Sequence, residues 1–230
     1  MKEVKILHLM PKLLSLYGEY GNVAILNKVL TAHGCRVTVE NWESGDLNFD
    51  NIDLIYVGSG TEDNLAEAIH RLTPYSKQIR NSIESGALWL ATGNAMSLFA
   101  ENALNVLPYR CHNDSTQRYM GDVLTDSHFG SPLVGYINTG CKYDGIETPL
   151  FKLSFGSNLG NDKGNTNAEG IVYNGFFGTQ LIGPVLVKNP HFLCHLATQI
   201  TGQEVTVEEE DYLKKAYHVT LQELQKRAGS

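Results

Sequence analysis

Leu88-Trp-Leu-Ala-Thr-Gly-Asn-Ala-Met-Ser-Leu-Phe-Ala100 decides the fold class. Its first half is a short, fully apolar strand, and Thr92-Gly93-Asn94 is a sharp turn. The second half has the spacing of a helix, predicted from about Ala95 to Leu104. Strand, tight turn, helix is the form of an elbow, in which one residue holds an unfavourable backbone conformation. Small residues must stand two positions to either side of it, because the backbones approach closely. Ala91 and Ala95 flank Gly93 in this way, and glycine accepts a left-handed backbone at little steric cost.

The same alternation extends toward the N-terminus. Val4–Met10 reads as an apolar strand ended by Pro11, and Leu13–Leu30 carries helical spacing interrupted by Gly18 and Gly21. Cys35–Glu40 and Asp53–Val57 read as strands, and Leu65–Ser85 as helix broken at Pro74. Such alternation predicts an α/β fold with a mostly parallel sheet flanked by helices. Sites in such sheets lie at the carboxyl ends of the strands, which singles out the loops 10–21, 58–64 and 92–95. The second half adds short strands at Tyr119–Leu124, Leu133–Asn138, Leu150–Phe155, Gly170–Tyr173 and Phe176–Leu181. Gly156–Asn167 reads as an exposed loop. Helices are predicted at Pro190–Ile200 and at about 207–227, the latter turning Tyr212, Ala216 and Leu221 toward the body. With no linker or repeat in view, residues 1–230 are expected to form one domain.

Composition narrows the function classes. The 230 residues are 42% hydrophobic and 19% charged, with a net charge of −7, ordinary for a globular protein. No basic block suggests a nucleic-acid surface. No apolar run approaches the ~20 residues of a membrane span, and the opening residues lack a signal-type core. The four cysteines, Cys35, Cys111, Cys141 and Cys194, lack C-x-x-C spacing, so no metal is expected and a reducing, cytoplasmic setting is. No cofactor motif is present.

Several segments carry a resemblance. Ala91-Thr-Gly-Asn-Ala-Met-Ser-Leu-Phe-Ala100 resembles the elbow A-I-C-G-G-Y-Q-L-L-G of class I glutamine amidotransferases of the cobyric acid synthase type. Leu13-Leu-Ser-Leu-Tyr-Gly-Glu-Tyr-Gly-Asn22 is similar to L-x-N-L-Y-G-D-x-G-N, and Val57-Gly-Ser-Gly-Thr-Glu-Asp63 to the oxyanion loop G-G-G-Q-D. Arg118–Asp122 and Leu133–Asn138 follow in order. Gly178-Thr-Gln-Leu-Ile-Gly-Pro184 with Lys188-Asn-Pro190 resembles G-T-Y-L-H-G-P and K-N-P. The resemblance spans residues 4 to about 200 and is strongest to the GatD subfamily, the glutaminase subunits of lipid II isoglutaminyl synthases. It implies a flavodoxin-like class I amidotransferase fold and a synthetase partner of the Mur-ligase type. It also implies glutamine or another small ligand in whatever pocket remains, in peptidoglycan or cobalamin synthesis.

The departures fall on the chemistry. The family's nucleophilic cysteine aligns with Gly93 and its histidine with Ile182. Glutamine hydrolysis needs a thiolate to attack the carboxamide and an imidazole to manage the proton. Neither is present, so no catalytic residue is intact and loss of glutaminase activity is expected. The alternative is an active amidotransferase with its nucleophile elsewhere, at Thr92 (by a one-residue slip of the elbow), Ser97 or Cys141. Gly58, Ser59, Gly60, Asn94, Arg118 and Asn138 are the candidate substrate-binding residues. The first three would offer backbone N–H groups to an anion, although a plain tight turn explains them equally well. Arg118 would hold a carboxylate by two hydrogen bonds, or form a surface ion pair. Glu62 and Asp63 read as a solvated pair, His8 as satisfied structure, and His191 with His195 as surface histidines without a third metal ligand.

Overall fold

A computed structural model describes residues 1–113, 116–126, 129–156, 167–208 and 211–229. The predicted loop at 156–167 therefore lies outside the described residues except at its ends.

Six strands form the main sheet: β1 (Glu3–Leu9), β2 (Arg36–Trp42), β3 (Leu54–Val57), β4 (Trp89–Thr92), β11 (Ile171–Tyr173) and β12 (Phe176–Thr179), in the order β11-β12-β4-β3-β1-β2. All neighbours are parallel except the edge pair β11–β12. The connections are α1 (Tyr20–Ala32), and α2 (Glu62–Leu72) running through a 3-10 turn at Thr73–Tyr75 into α3 (Ser76–Glu84). The turn begins at the expected proline break. Fully buried strands of alternating allegiance explain the two-layer cover. Ile6, Leu54, Tyr56 and Leu90 pack with α1 on one face. Leu7, Leu9, Ile55, Val57, Trp89 and Ala91 pack with α2 and α3 on the other.

The second half builds a five-stranded antiparallel sheet, β10-β9-β6-β7-β13, from β6 (Tyr119–Thr125), β7 (Val134–Thr139), β9 (Phe151–Phe155), β10 (Ala168–Glu169) and β13 (Leu181–Ile182). A separate two-stranded hairpin pairs β5 (Arg110–Asn113) with β8 (Cys141–Asp144). The chain closes with α4 (Val185–Lys188), α5 (Pro190–Thr201) and α6 (Tyr212–Ala228). No helix among the described residues is long and apolar enough to cross a membrane.

Four expectations are corrected. The helix predicted from Leu13 begins only at Tyr20, because 10–19 is an irregular loop opened by a positive φ at Met10 and turned again by Gly18. The helix predicted after the elbow is a 3-10 segment, Gly93–Phe99, cut off where Ala100 turns extended. The run Phe176–Leu181 divides at Gln180, one part in each sheet. The last helix starts later than predicted, capped by the Asp211 carboxylate on the Leu213 N–H. It buries Tyr217 and Leu224, with Leu213 and Leu221 half-buried, and leaves Tyr212 87% exposed. The 213/217/221/224 spacing is the true apolar stripe.

Candidate functional site

The strand order changes direction between β1 and β3, the position at which doubly wound sheets open a crevice at their carboxyl ends. Three loops meet there: 10–19, 58–61 and the elbow after β4. Gly93 has φ +60, whereas Thr92 is extended. The residue in the elbow conformation is therefore Gly93, which removes the one-residue slip that would have made Thr92 the nucleophile. Thr92 is also fully buried, with Oγ1 2.9 Å from the Tyr56 hydroxyl.

The space above Gly93 is occupied. A Cβ built there would lie 2.0 Å from Ser59 Oγ, 2.9 Å from Ile182 Cγ2 and 3.2 Å from Ser59 Cβ. The serine hydroxyl and the isoleucine methyl thus fill the volume that a side chain on the elbow would take.

The loop beside it is likewise satisfied from within. The Ser59 N–H donates to the carboxylate of Glu19, which is fully buried. The Gly60 N–H donates to Asn94 Oδ1 at 3.2 Å, and Asn94 Nδ2 donates back to the Gly60 carbonyl at 2.7 Å. Burial pushes the Glu19 carboxyl up to about 7. Its Oε1 has no hydrogen bond of good geometry. Bonding from the Ser59 N–H and weaker interactions with the Ser59 and Thr92 hydroxyls and the Gly183 N–H only partly offset desolvation. Beneath lies a polar layer. Asn22 Nδ2 donates to the Tyr56 hydroxyl at 2.9 Å, and Asn22 Oδ1 accepts the Leu186 N–H at 2.8 Å. Because Asn22 Nδ2 can only donate, the Tyr56 proton is free to point to Thr92. His8 packs edge-on against Tyr56 at 5.1 Å with Nε2 unpartnered. Burial lowers its pKa to about 4, so it is neutral.

In front of this plug is a cavity of about 200 Å³. Asn94, Arg118 and Asn138, three of the expected binding residues, line it together with Glu62, Ser97, Cys111 and Cys141. Arg118 Nε donates to Asn138 Oδ1, and its Nη1 lies 3.7 Å from Glu62 Oε1. Asn138 Nδ2 donates to the Tyr17 hydroxyl at 3.2 Å, tying β7 to the 10–19 loop. Gly58, Ser59 and Gly60 do not line the cavity, and Gly60 is linked to it by its hydrogen bonds with Asn94. Ser97 Oγ donates to the Asn94 carbonyl at 2.7 Å and so braces the turn. His191 and His195 lie away from this cavity, His195 against Phe129, and the described residues contain no cluster suited to a metal ion.

The fold is shared with known proteins. No protein-family model matches the chain. Among curated proteins it is similar to the lipid II isoglutaminyl synthase (glutamine-hydrolyzing) subunit GatD of Staphylococcus aureus strain N315, at 29% identity over 202 residues, 82% of this chain and 81% of that one. The corresponding subunit of Streptococcus pneumoniae is 23% identical, with 93% of each chain covered. Of solved structures, PurLQS from Thermotoga maritima superposes with a TM-score of 0.55 at 14% identity, covering 88% of this chain and 97% of that one. A glutamine amidotransferase from the same organism gives 0.54 at 11% identity, covering 98% and 94%. The chain has the fold of class I glutamine amidotransferases and is similar in sequence to GatD.

In this glutamine amidotransferase-like domain, sequence reasoning found the frame and missed what fills it. Glu19 went unread because its partner lies 40 residues away. The signal for Ser59 was present: a serine where the resembling loop has glycine, in the same chain in which the elbow residue is glycine.

Proposed function

We propose that this chain is a GatD-like subunit that has lost glutaminase activity and serves a synthetase partner, of the Mur-ligase type in the nearest analogy, without supplying ammonia from glutamine. The observation that carries this reading is the 2.0 Å approach of Ser59 Oγ to the place a nucleophile's Cβ would need. Residue 182, at the histidine position, is an apolar Ile that lines the same volume. The N–H groups of Ser59 and Gly60 are spent on Glu19 and Asn94, so they are not free to hold a developing oxyanion.

The cavity suits a small zwitterion of amino-acid size. Arg118 would take a carboxylate by paired hydrogen bonds, Glu62 an ammonium group, and Asn94 or Asn138 a carboxamide. Glutamine is the first candidate. The subunit would then bind glutamine, or an analogue, without hydrolysing it.

The test is ammonia and glutamate release from glutamine by the purified chain, alone and with its co-purified partner. No release above background is expected in either case. Hydrolysis at an enzymatic rate by the wild type would overturn the reading and send the search for a nucleophile to Ser97 or Cys141.

A further inference from the structure

Cys111 and Cys141 meet across the β5–β8 hairpin. Cys111 pairs in register with Tyr143, and Asn113 with Cys141, so the two cysteines stand diagonally on one face of the ribbon. Diagonal cross-strand neighbours stand about 7 Å apart, so joining two thiols there takes a small closing movement of the strands. Both also line the cavity in front of the elbow. Cys111 is half-buried, whereas Cys141 is 6% exposed, reached from the cavity. The other two cysteines differ. Cys35 is a core residue packed with α1 and β1, and Cys194 lies on α5.

We propose that Cys111 and Cys141 are a peroxide-responsive dithiol that closes to a disulfide across the β5–β8 hairpin. The neighbouring Cys111 thiol lowers the Cys141 pKa against the effect of burial. The same proximity, with burial, raises Cys111. The negative charge therefore collects on Cys141, the better attacking sulfur. The Cys141 thiolate attacks one oxygen of hydrogen peroxide, the O–O bond breaks, and hydroxide leaves, giving a sulfenic acid. Cys111 then attacks that sulfur, the S–O bond breaks, and water departs with the Cys111 proton. Two thiols are oxidised and one peroxide is reduced to two waters. The oxidant fits the site, since a cavity of about 200 Å³ admits a molecule little larger than water. The Cys141 N–H is held by the Thr139 hydroxyl at 3.0 Å, but no backbone ladder joins the hairpin to either large sheet, so the strands can make the small shift that disulfide geometry requires.

The proposal stands on the thiols and does not depend on the cavity's holding an amino acid. The full chain, reduced and freed of reductant, is exposed to a small excess of hydrogen peroxide, quenched with an alkylating agent, and digested for mass spectrometry. The expected result is a linked peptide containing Cys111 and Cys141, with Cys35 and Cys194 still alkylated and both lost thiols restored by dithiothreitol. Cys141 should react about tenfold or more faster than Cys194. In Cys111→Ser, Cys141 should stop at a sulfenic acid that dimedone captures. Absence of the linked peptide, or oxidation spread evenly over the four cysteines, would overturn it. The decisive map uses the wild type, so a variant that fails to fold does not blunt the test.

Discussion

Gly93, Ser59 and Ile182 form one packing unit, and a change at one constrains the others. A Cβ at position 93 would meet Ser59 Oγ at 2.0 Å and Ile182 Cγ2 at 2.9 Å, at a φ of +60 that a residue other than glycine holds at a cost of about 1–3 kcal/mol. Restoring the nucleophile alone, by Gly93→Cys, should lower stability by about that amount or more, and should yield no activity. Gly93→Cys with Ile182→His removes one obstruction but leaves the serine. Only the triple variant, with Ser59→Gly added, opens the volume and is expected to hydrolyse glutamine above the wild-type background. Equal rates from the double and triple variants would show that Ser59 is no obstacle. Ser59 occupies the volume that a side chain on residue 93 would need, visible in the sequence as two departures from the resembling motifs but intelligible only once they touch.

Among the elements, the junction of the second sheet with α4 and α5 depends on one buried amide. Asn189 Oδ1 accepts the Val134 N–H at 2.8 Å, while Nδ2 donates to the carbonyls of Val134 and Val185, each at 2.9 Å. It thereby satisfies both backbone groups at the start of β7 and a carbonyl of α4, where a helix of four residues cannot satisfy its own. Asn189→Ala leaves these groups buried without partners and should cost about 2–4 kcal/mol in chemical denaturation; a loss below about 1 kcal/mol would mean that water replaces the amide. A second junction lies at Gln180, where the chain leaves one sheet for the other. Glu169 accepts from the Thr179 hydroxyl at 2.9 Å and from the Gln180 N–H, which turns the backbone between β12 and β13. Phe176–Leu181 therefore read as one strand in the sequence: apolarity marks a buried run, and the crossing is set by a carboxylate some ten residues upstream. The same limit applies to the elbow. Its position was legible from Ala91, Gly93 and Ala95, but its shortening to a 3-10 turn goes with Ala100 turning extended and the Val106 and Leu107 N–H groups taking the Phe99 carbonyl.

Across the whole molecule, burial of titratable groups sets a pH dependence. Burial raises both Glu19 and Glu169 from 4.5 to about 7. The folded state thus binds these protons more tightly than the unfolded one. Their contribution is fully present below about pH 4.5 and is lost as pH rises through about 7. His8 works in the opposite sense. Its pKa falls from 6.5 to about 4, so its contribution is present above 6.5 and lost as pH falls through 4. Two carboxylates against one histidine should make the denaturation midpoint rise as pH is lowered from about 7 to 5.5. Glu19→Gln should remove most of that slope, because His8 then nearly offsets Glu169; an unchanged slope would place the titration elsewhere. The parallel half of the fold, with its crevice between β1 and β3, was legible because β3 and β4 are short apolar runs closed by glycine and β2 alternates. The plug was not, because Glu19 and Ser59 acquire meaning only when two loops converge.

Glu19 is in effect a ligand tethered to its own receptor. A free anion competing for the Ser59 N–H faces a carboxylate already delivered at high effective concentration, of millimolar order or above. Ordinary metabolite levels would not displace it. The loop 58–60 is thus insulated from the cell's pool of small acids, and only an agent that moves residue 19 itself, such as a docking surface pulling on the start of α1, could return that N–H to use.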